Sequence, residues 1–134
     1  MKKIVFMAAA ILLLATSCQE KKMDRFVREA KEYTEKNCPQ HLDNFTTLDS
    51  MVFVKKDNGI GNVRMYYSLQ LTDEQKAIFM DDLATFGEEN LRIVKTSVHF
   101  MQYKDAGVIF SYIYHDAVTG EKIVEYNYSP NEYN

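Results

Sequence analysis

Two cysteines, no tryptophan, no basic excess and no apolar run of bilayer length set the first limits on this sequence. Its longest apolar run, Ile4 to Ala15, is 12 residues, whereas a membrane-spanning helix needs roughly 20. That excludes a transmembrane anchor there. Nineteen acidic residues against sixteen Lys and Arg disfavour a nucleic-acid partner, whose binding rests on basic patches that neutralise phosphate. The acids are spread along the chain and read as a solvated surface.

Catalytic and metal spacings are missing as well. There is no H-x-x-x-H pair, G-x-S-x-G turn, glycine-rich phosphate loop or paired catalytic carboxylate spacing. His41, His99 and His115 are scattered, and neighbours on a strand such as His115 and Asp116 point to opposite faces. Asp81-Asp82 and Glu88-Glu89 could attract a hard cation, but they lack the alternating oxygen ligands of a dedicated loop. No catalytic residue, cofactor or metal is expected.

What is present at the start is an address. Lys2 and Lys3 precede the apolar run, and the small residues Ala15, Thr16 and Ser17 lead into Cys18; that order is the order of a cleaved secretory signal. Ala15-Thr16-Ser17-Cys18 resembles the lipobox of bacterial lipoproteins, with Ala15 where Leu is commonest. The resemblance implies cleavage after Ser17, a diacylglycerol thioether on Cys18 and an acyl chain such as palmitate on the new amino terminus. More than one chain gives stable attachment. The expected organisation is a signal peptide over 1–17, a lipidated tether over 18–22 and one domain over 23–134.

Lys2 and Lys3 leave with the signal, so fourteen basic residues face nineteen acids in a mature chain of 117 residues and net charge −5. With Cys18 lipidated, Cys38 has no intramolecular partner. It reads first as a structural buried thiol, with pairing between chains as the alternative.

The spacing Phe26, Val27, Ala30, Tyr33, Thr34 predicts a helix over 23–37, stopped by Pro39. Met51 to Val54 and the alternating Val63, Met65, Tyr67, Leu69 flank Asn58-Gly59, a hairpin signal. Thr72 and Gln75 form a capping box for a second helix over 73–86, whose apolar stripe is Ala77, Ile78, Met80, Leu83, Ala84 and Phe86 and which ends near Gly87. Leu91 to Tyr103, Val108 to His115 and Lys122 to Tyr128 read as strands, and Pro130 ends the sheet. The expected fold is α+β: two helices on one face of an antiparallel sheet of about five strands, in the order α-β-β-α-β-β-β.

Tyrosine supplies bulk in the absence of tryptophan. Tyr66, Tyr67, Tyr103, Tyr112, Tyr114, Tyr126 and Tyr128 either pack under the helices or form a recognition patch, for which an apolar body with a polar tip is suited. Both faces of 108–115 are largely apolar, so the face opposite the helices needs a cover. Tyr66, Tyr103, Ile113 and Tyr114 are accordingly the candidate interaction residues.

Asn37-Cys38-Pro39 closing the first helix, with Tyr114 to Glu121 ending the meander, resembles small uncharacterised lipoproteins of Bacteroides-type bacteria. The Asp-x-x-Thr-Gly turn at 116–120 is similar to that of PepSY-like domains, and the element order to cystatin-like folds. The Bacteroides-type resemblance further implies that Asp49-Ser50-Met51 matches a three-residue O-glycosylation signal, which would place a glycan on Ser50. The expected protein is a lipoprotein of the cell envelope, with the outer membrane favoured because no Asp follows Cys18. It would act as a non-catalytic module binding an unknown envelope protein or glycan. An inhibitor of an envelope peptidase and an enzyme of unrecognised type are the alternatives.

Overall fold

The computed structural model describes residues 22–134. Helix α1 occupies 22–37 and is followed by β1 (Gln40–His41), β2 (Thr46–Lys55) and β3 (Gly61–Leu69). The chain then crosses through α2 (Asp73–Asp81), α3 (Leu83–Thr96), a 3₁₀ turn (Val98–Phe100) and α4 (Met101–Asp105) before β4 (Ile109–Asp116), β5 (Lys122–Tyr128) and α5 (Pro130–Tyr133). The α+β class and the five-stranded sheet agree with the sequence reading. The strands lie in the order β1-β2-β3-β4-β5.

Within that class the wiring differs. Residues 91–103, expected as a strand, are helical. Gly87, Asn90, Leu91 and Val94 share one helix face at i, i+3, i+4 and i+7, and a glycine and an asparagine on that face conceal its periodicity. Phe100 and Tyr103, three apart, both set their rings against Phe110, at 5.2 and 6.1 Å. The missing strand is replaced in the count by the two-residue β1, which lies in the expected 39–48 connection. The joint from β3 to β4 is thereby a helical crossover, and such a connection joins parallel strands: Val63 pairs with Phe110 and Tyr67 with Tyr114 in parallel register, while the other three pairings are antiparallel.

The core forms where the alternating faces of β3 and β4 meet the helices. Val63, Met65, Tyr67 and Leu69, with Phe110, Tyr112 and Tyr114, are buried against Phe26 and Ala30 of α1 and Val94 of α3. Tyr67 lies between Tyr112 and Tyr114 in near-parallel stacks at 6.0 and 4.8 Å, so most tyrosines take the packing role. Burial pushes the phenols of Tyr67, Tyr112 and Tyr114 well above their usual range.

At the free edge of β2, Thr34 of α1 stands in for a neighbouring strand. Its hydroxyl accepts from Met51 N at 2.9 Å and lies 2.8 Å from Met51 O, satisfying backbone groups that would otherwise be orphaned. Cys38 follows directly and is half-buried and free. Burial and the charge of Asp49 push its thiol up, against a hydrogen bond from Thr34.

Gly87 lies inside α3, not at the end of a helix. A Cβ there would stand 2.5 Å from Cε1 of Tyr126, and that ring is pinned by the Tyr126 hydroxyl donating to Leu83 O at 2.6 Å. Tyr128 donates to Gly87 O itself at 2.5 Å. Gly87→Ala adds helix propensity of roughly 1 kcal/mol but overpacks this contact at about 1–3 kcal/mol. A net loss of up to about 2 kcal/mol is expected, read as a lower unfolding midpoint; a gain in stability would refute the packing role.

Candidate interaction surface

The sheet face away from the helices answers the question of what covers Ile113. Ile113 is 1% exposed, with Tyr66 and Glu125 as its cross-strand partners. Arg64 reaches Glu125 from the far side of β4, Nη2 to Oε1 at 3.5 Å, and donates from Nε to the Tyr66 hydroxyl at 2.9 Å. Asn127 donates to Glu125 at 3.1 Å, Ser111 donates to Asn127 at 2.5 Å, and Asn62 donates to Ser111 at 3.0 Å. Burial opposes ionisation of Glu125, but Asn127, Arg64 and Lys122 outweigh it and hold its carboxyl below the usual range. Long polar side chains therefore roof the apolar centre with their stems, as such side chains do. Among the described residues no buried side-chain donor or acceptor on this face or elsewhere is left unpaired.

The four candidate residues are consequently dispersed. Tyr66 lies on this face, half-buried, with its ring 6.4 Å from that of His115. Ile113 lies beneath the polar roof. Tyr114 faces the helices, 3% exposed, with its hydroxyl accepting from Asn90 at 3.1 Å. Tyr103 is on α4, its ring 4.8 Å from Phe26. Ser50 sits half-buried on β2 beside an irregularity at Asp49. Cys18, the candidate lipid site, lies outside the described residues.

A different surface, around α2, displays exposed apolar groups beside a groove. Helix α2 is started by Thr72, whose hydroxyl accepts from Gln75 N while the Gln75 side chain accepts from Thr72 N. The helix is interrupted at Asp82, whose backbone at φ −109° and ψ 16° closes α2 and opens α3. Helix α2 buries none of its residues: Ile78 is 62% and Met80 47% exposed. Its attachments are the Phe79 ring, edge-on to Phe86 at 5.0 Å, and Lys76, which meets Asp116 at 3.0 Å. The Lys76 ammonium and two backbone N–H groups hold the Asp116 carboxyl below its usual range.

Between α2 and α3 runs an open groove of about 450 Å³. Ile78, Phe79, Thr85 and Phe86 line it, with Gln75, Asp82 and Glu89 at its rim. Phe86 continues inward to Tyr114 at 5.1 Å, so the floor of the groove is the outer surface of the core. Residues 73–89 hold six acids and one lysine, although Glu89 is partly neutralised by Arg92. The acidic doublets do not converge: among the described residues no three His, Cys, Asp or Glu could hold a metal. Sequence periodicity assigned Ile78 and Met80 to a core stripe; the break at Asp82 is what leaves them outside.

In fold, the described part of the molecule is an α+β domain with a helical crossover on one face of a five-stranded sheet. The chain belongs to the family described as a domain of unknown function, DUF8479, which matches residues 21–124. It is similar in structure to a protein of Pseudomonas aeruginosa described as secreted, at 10% identity and a TM-score of 0.69 over 87% of this chain and 96% of that one. It is also similar to EpsS, the pilotin of the Vibrio vulnificus type 2 secretion system, at 13% identity and a TM-score of 0.56 over 88% of this chain and 97% of that one. No curated protein matches the sequence. Among the described residues no helix is long and apolar enough to cross a membrane.

Proposed function

We propose that this protein is a lipid-anchored lipoprotein of the bacterial cell envelope that acts by binding, without catalysis. Its α2–α3 groove receives an apolar segment with basic flanks from another envelope protein. The observation that carries the reading is a helix with no buried residue displaying Ile78 and Met80 beside a groove lined by Phe79 and Phe86. Exposed apolar side chains beside an apolar groove mark interaction sites, and an amphipathic helix laid into an apolar groove is a recurrent mode of recognition.

The acid-rich rim selects the partner's charge, since complementary fields guide encounter and reject like-charged competitors. The arrangement Lys2-Lys3, apolar run, Ala-Thr-Ser-Cys18 supports the envelope address. Similarity in fold to a secretion-system pilotin supports an assembly role, because the same scaffold serves there in a multiprotein machine.

Photocrosslinking from position 85, on the groove wall, in intact cells tests this. A discrete crosslinked species is expected from the native side-chain environment, and Ile78→Asp should weaken recovery of the same species by about tenfold or more, the scale of losing an apolar anchor. The fold should be unaffected, because substitutions at exposed sites shift stability within about 0.5 kcal/mol. Undiminished recovery with Ile78→Asp would place the contact elsewhere.

A further inference from the structure

The end of the domain at which the described chain begins is chemically unlike the α2–α3 end. Lys22, Met23 and Asp24 adjoin Lys55, Lys56, Asp57 and Ile60 at the β2–β3 turn around an open cleft of about 770 Å³, three lysines against two acids. Asn58-Gly59 forms the tip of that turn, with Gly59 at φ 81°. Lys55 is held to Asp24 at 2.5 Å, while Ile60 is 40% exposed at the tip. Helix α4 packs at the same end, since it leads into β4 where Ile109 pairs with Asn62 and Arg25 donates to Gln102 at 3.3 Å. It adds Lys104, which reaches Lys95 O, and the exposed Met101.

Two facts fix what this end must face. Only three residues separate Cys18 from Lys22, and four residue steps of about 3.3–3.6 Å reach no more than roughly 14 Å. A domain tethered so briefly at one end must present that end to the bilayer. Residues 73–89, by contrast, carry six acids and one lysine, and α2 starts beyond the far end of β3 from the turn.

We propose that the surface formed by the start of α1, the 56–60 turn and α4 docks on the anionic phospholipid surface to which Cys18 is anchored. Lys22 and Lys56 lie over lipid phosphates, Lys55 stands beside them paired with Asp24, and Ile60 dips among the headgroups. The proposal rests on the lipid at Cys18. Basic residues beside an anchor gain from the negative potential of anionic lipid within a Debye length, and partly exposed apolar side chains add interfacial burial. Docking in this pose turns the α2–α3 groove away from the membrane, open to a partner.

The full lipidated chain, carrying Cys38→Ser and either Asn58→Cys or Val118→Cys labelled with a fluorophore, can be reconstituted in phosphatidylethanolamine–phosphatidylglycerol vesicles containing a headgroup-linked quencher. Val118 is the control, on the β4–β5 turn at the opposite end of the sheet. Severalfold stronger quenching is expected at 58 than at 118. Lys55→Glu with Lys56→Glu, or replacement of the lipid by phosphatidylcholine, should bring the two positions toward equality. Equal quenching of the unmodified surface in the anionic vesicles overturns the docking. A difference untouched by the charge reversals and by neutral lipid also overturns it, because the tether alone then sets the pose. Failure of the protein to co-float with vesicles removes the anchor itself, and is told apart from both by that flotation step.

Discussion

Cys18→Ala should transfer the protein from the membrane fraction to the soluble fraction and abolish its lipid mass increment. The expectation follows from the length of the preceding apolar run and from the chemistry of the residue after Ser17. A run of 12 residues falls short of the roughly 20 that hold a helix across a bilayer, so retention has to come from the cysteine. Each acyl methylene buried contributes about 0.8 kcal/mol, and a single chain gives only reversible association. The proposed thioether-linked diacylglycerol plus an acylated amino terminus would supply several chains, all of them carried by this one residue. The effect should therefore be close to complete. Fractionation followed by intact-mass measurement checks it: the native protein should exceed the peptide mass of residues 18–134 by its lipid, and the variant should not. A Cys18→Ala variant that stays with the membrane through a high-salt wash would show that something other than this lipid anchors the chain.

The parts of the fold that were legible in the sequence are those in which a local rule and the tertiary environment agree. Alternation from Val63 to Leu69 matches the buried pattern of β3, Asn58-Gly59 sits at the hairpin turn, and Thr72 with Gln75 makes the capping box. The failures occur where a contact distant in sequence overrides the local signal. Gly87 has the look of a helix terminator, but its hydrogen side chain is demanded by the Tyr126 ring. Val98 and Phe100 alternate as in a strand, whereas Phe100 and Tyr103 are a helical pair around Phe110.

The interaction surface shows the same division. Ile113 was rightly placed opposite the helices by strand alternation. What alternation could not show is that Arg64 and Glu125, on strands either side of it, would join above it. The α2–α3 groove is hidden for the converse reason: Ala77, Ile78, Met80, Leu83, Ala84 and Phe86 read as one stripe, whereas the helix is interrupted at Asp82 and only Leu83 and Phe86 of the six are half-buried.

The two apolar layers of β4 lead to a second large effect. Phe110→Ala should destabilise the domain by about 3–5 kcal/mol, a substantial share of the roughly 5–15 kcal/mol that holds a domain folded. Phe110 is 0% exposed and is enclosed by rings from three separate elements: Phe100 at 5.2 Å, Tyr103 at 6.1 Å and Tyr133 at 5.4 Å. Tyr133 is itself fixed by donating to Val108 O at 2.8 Å, so the C-terminal turn cannot easily swing in to fill the space. Ile113→Ala on the opposite layer deletes a side chain that is nearly as buried, yet its roof is made of the adaptable stems of Arg64 and Glu125. That site can collapse, and its cost should lie near 2 kcal/mol, the lower end for such a truncation. Denaturant unfolding of both variants at constant m-value, which reports a change in stability and not in compactness, should place Phe110→Ala well below Ile113→Ala. The reverse order would mean that the polar roof, and not the aromatic cluster under the crossover helices, is the less yielding side of the sheet.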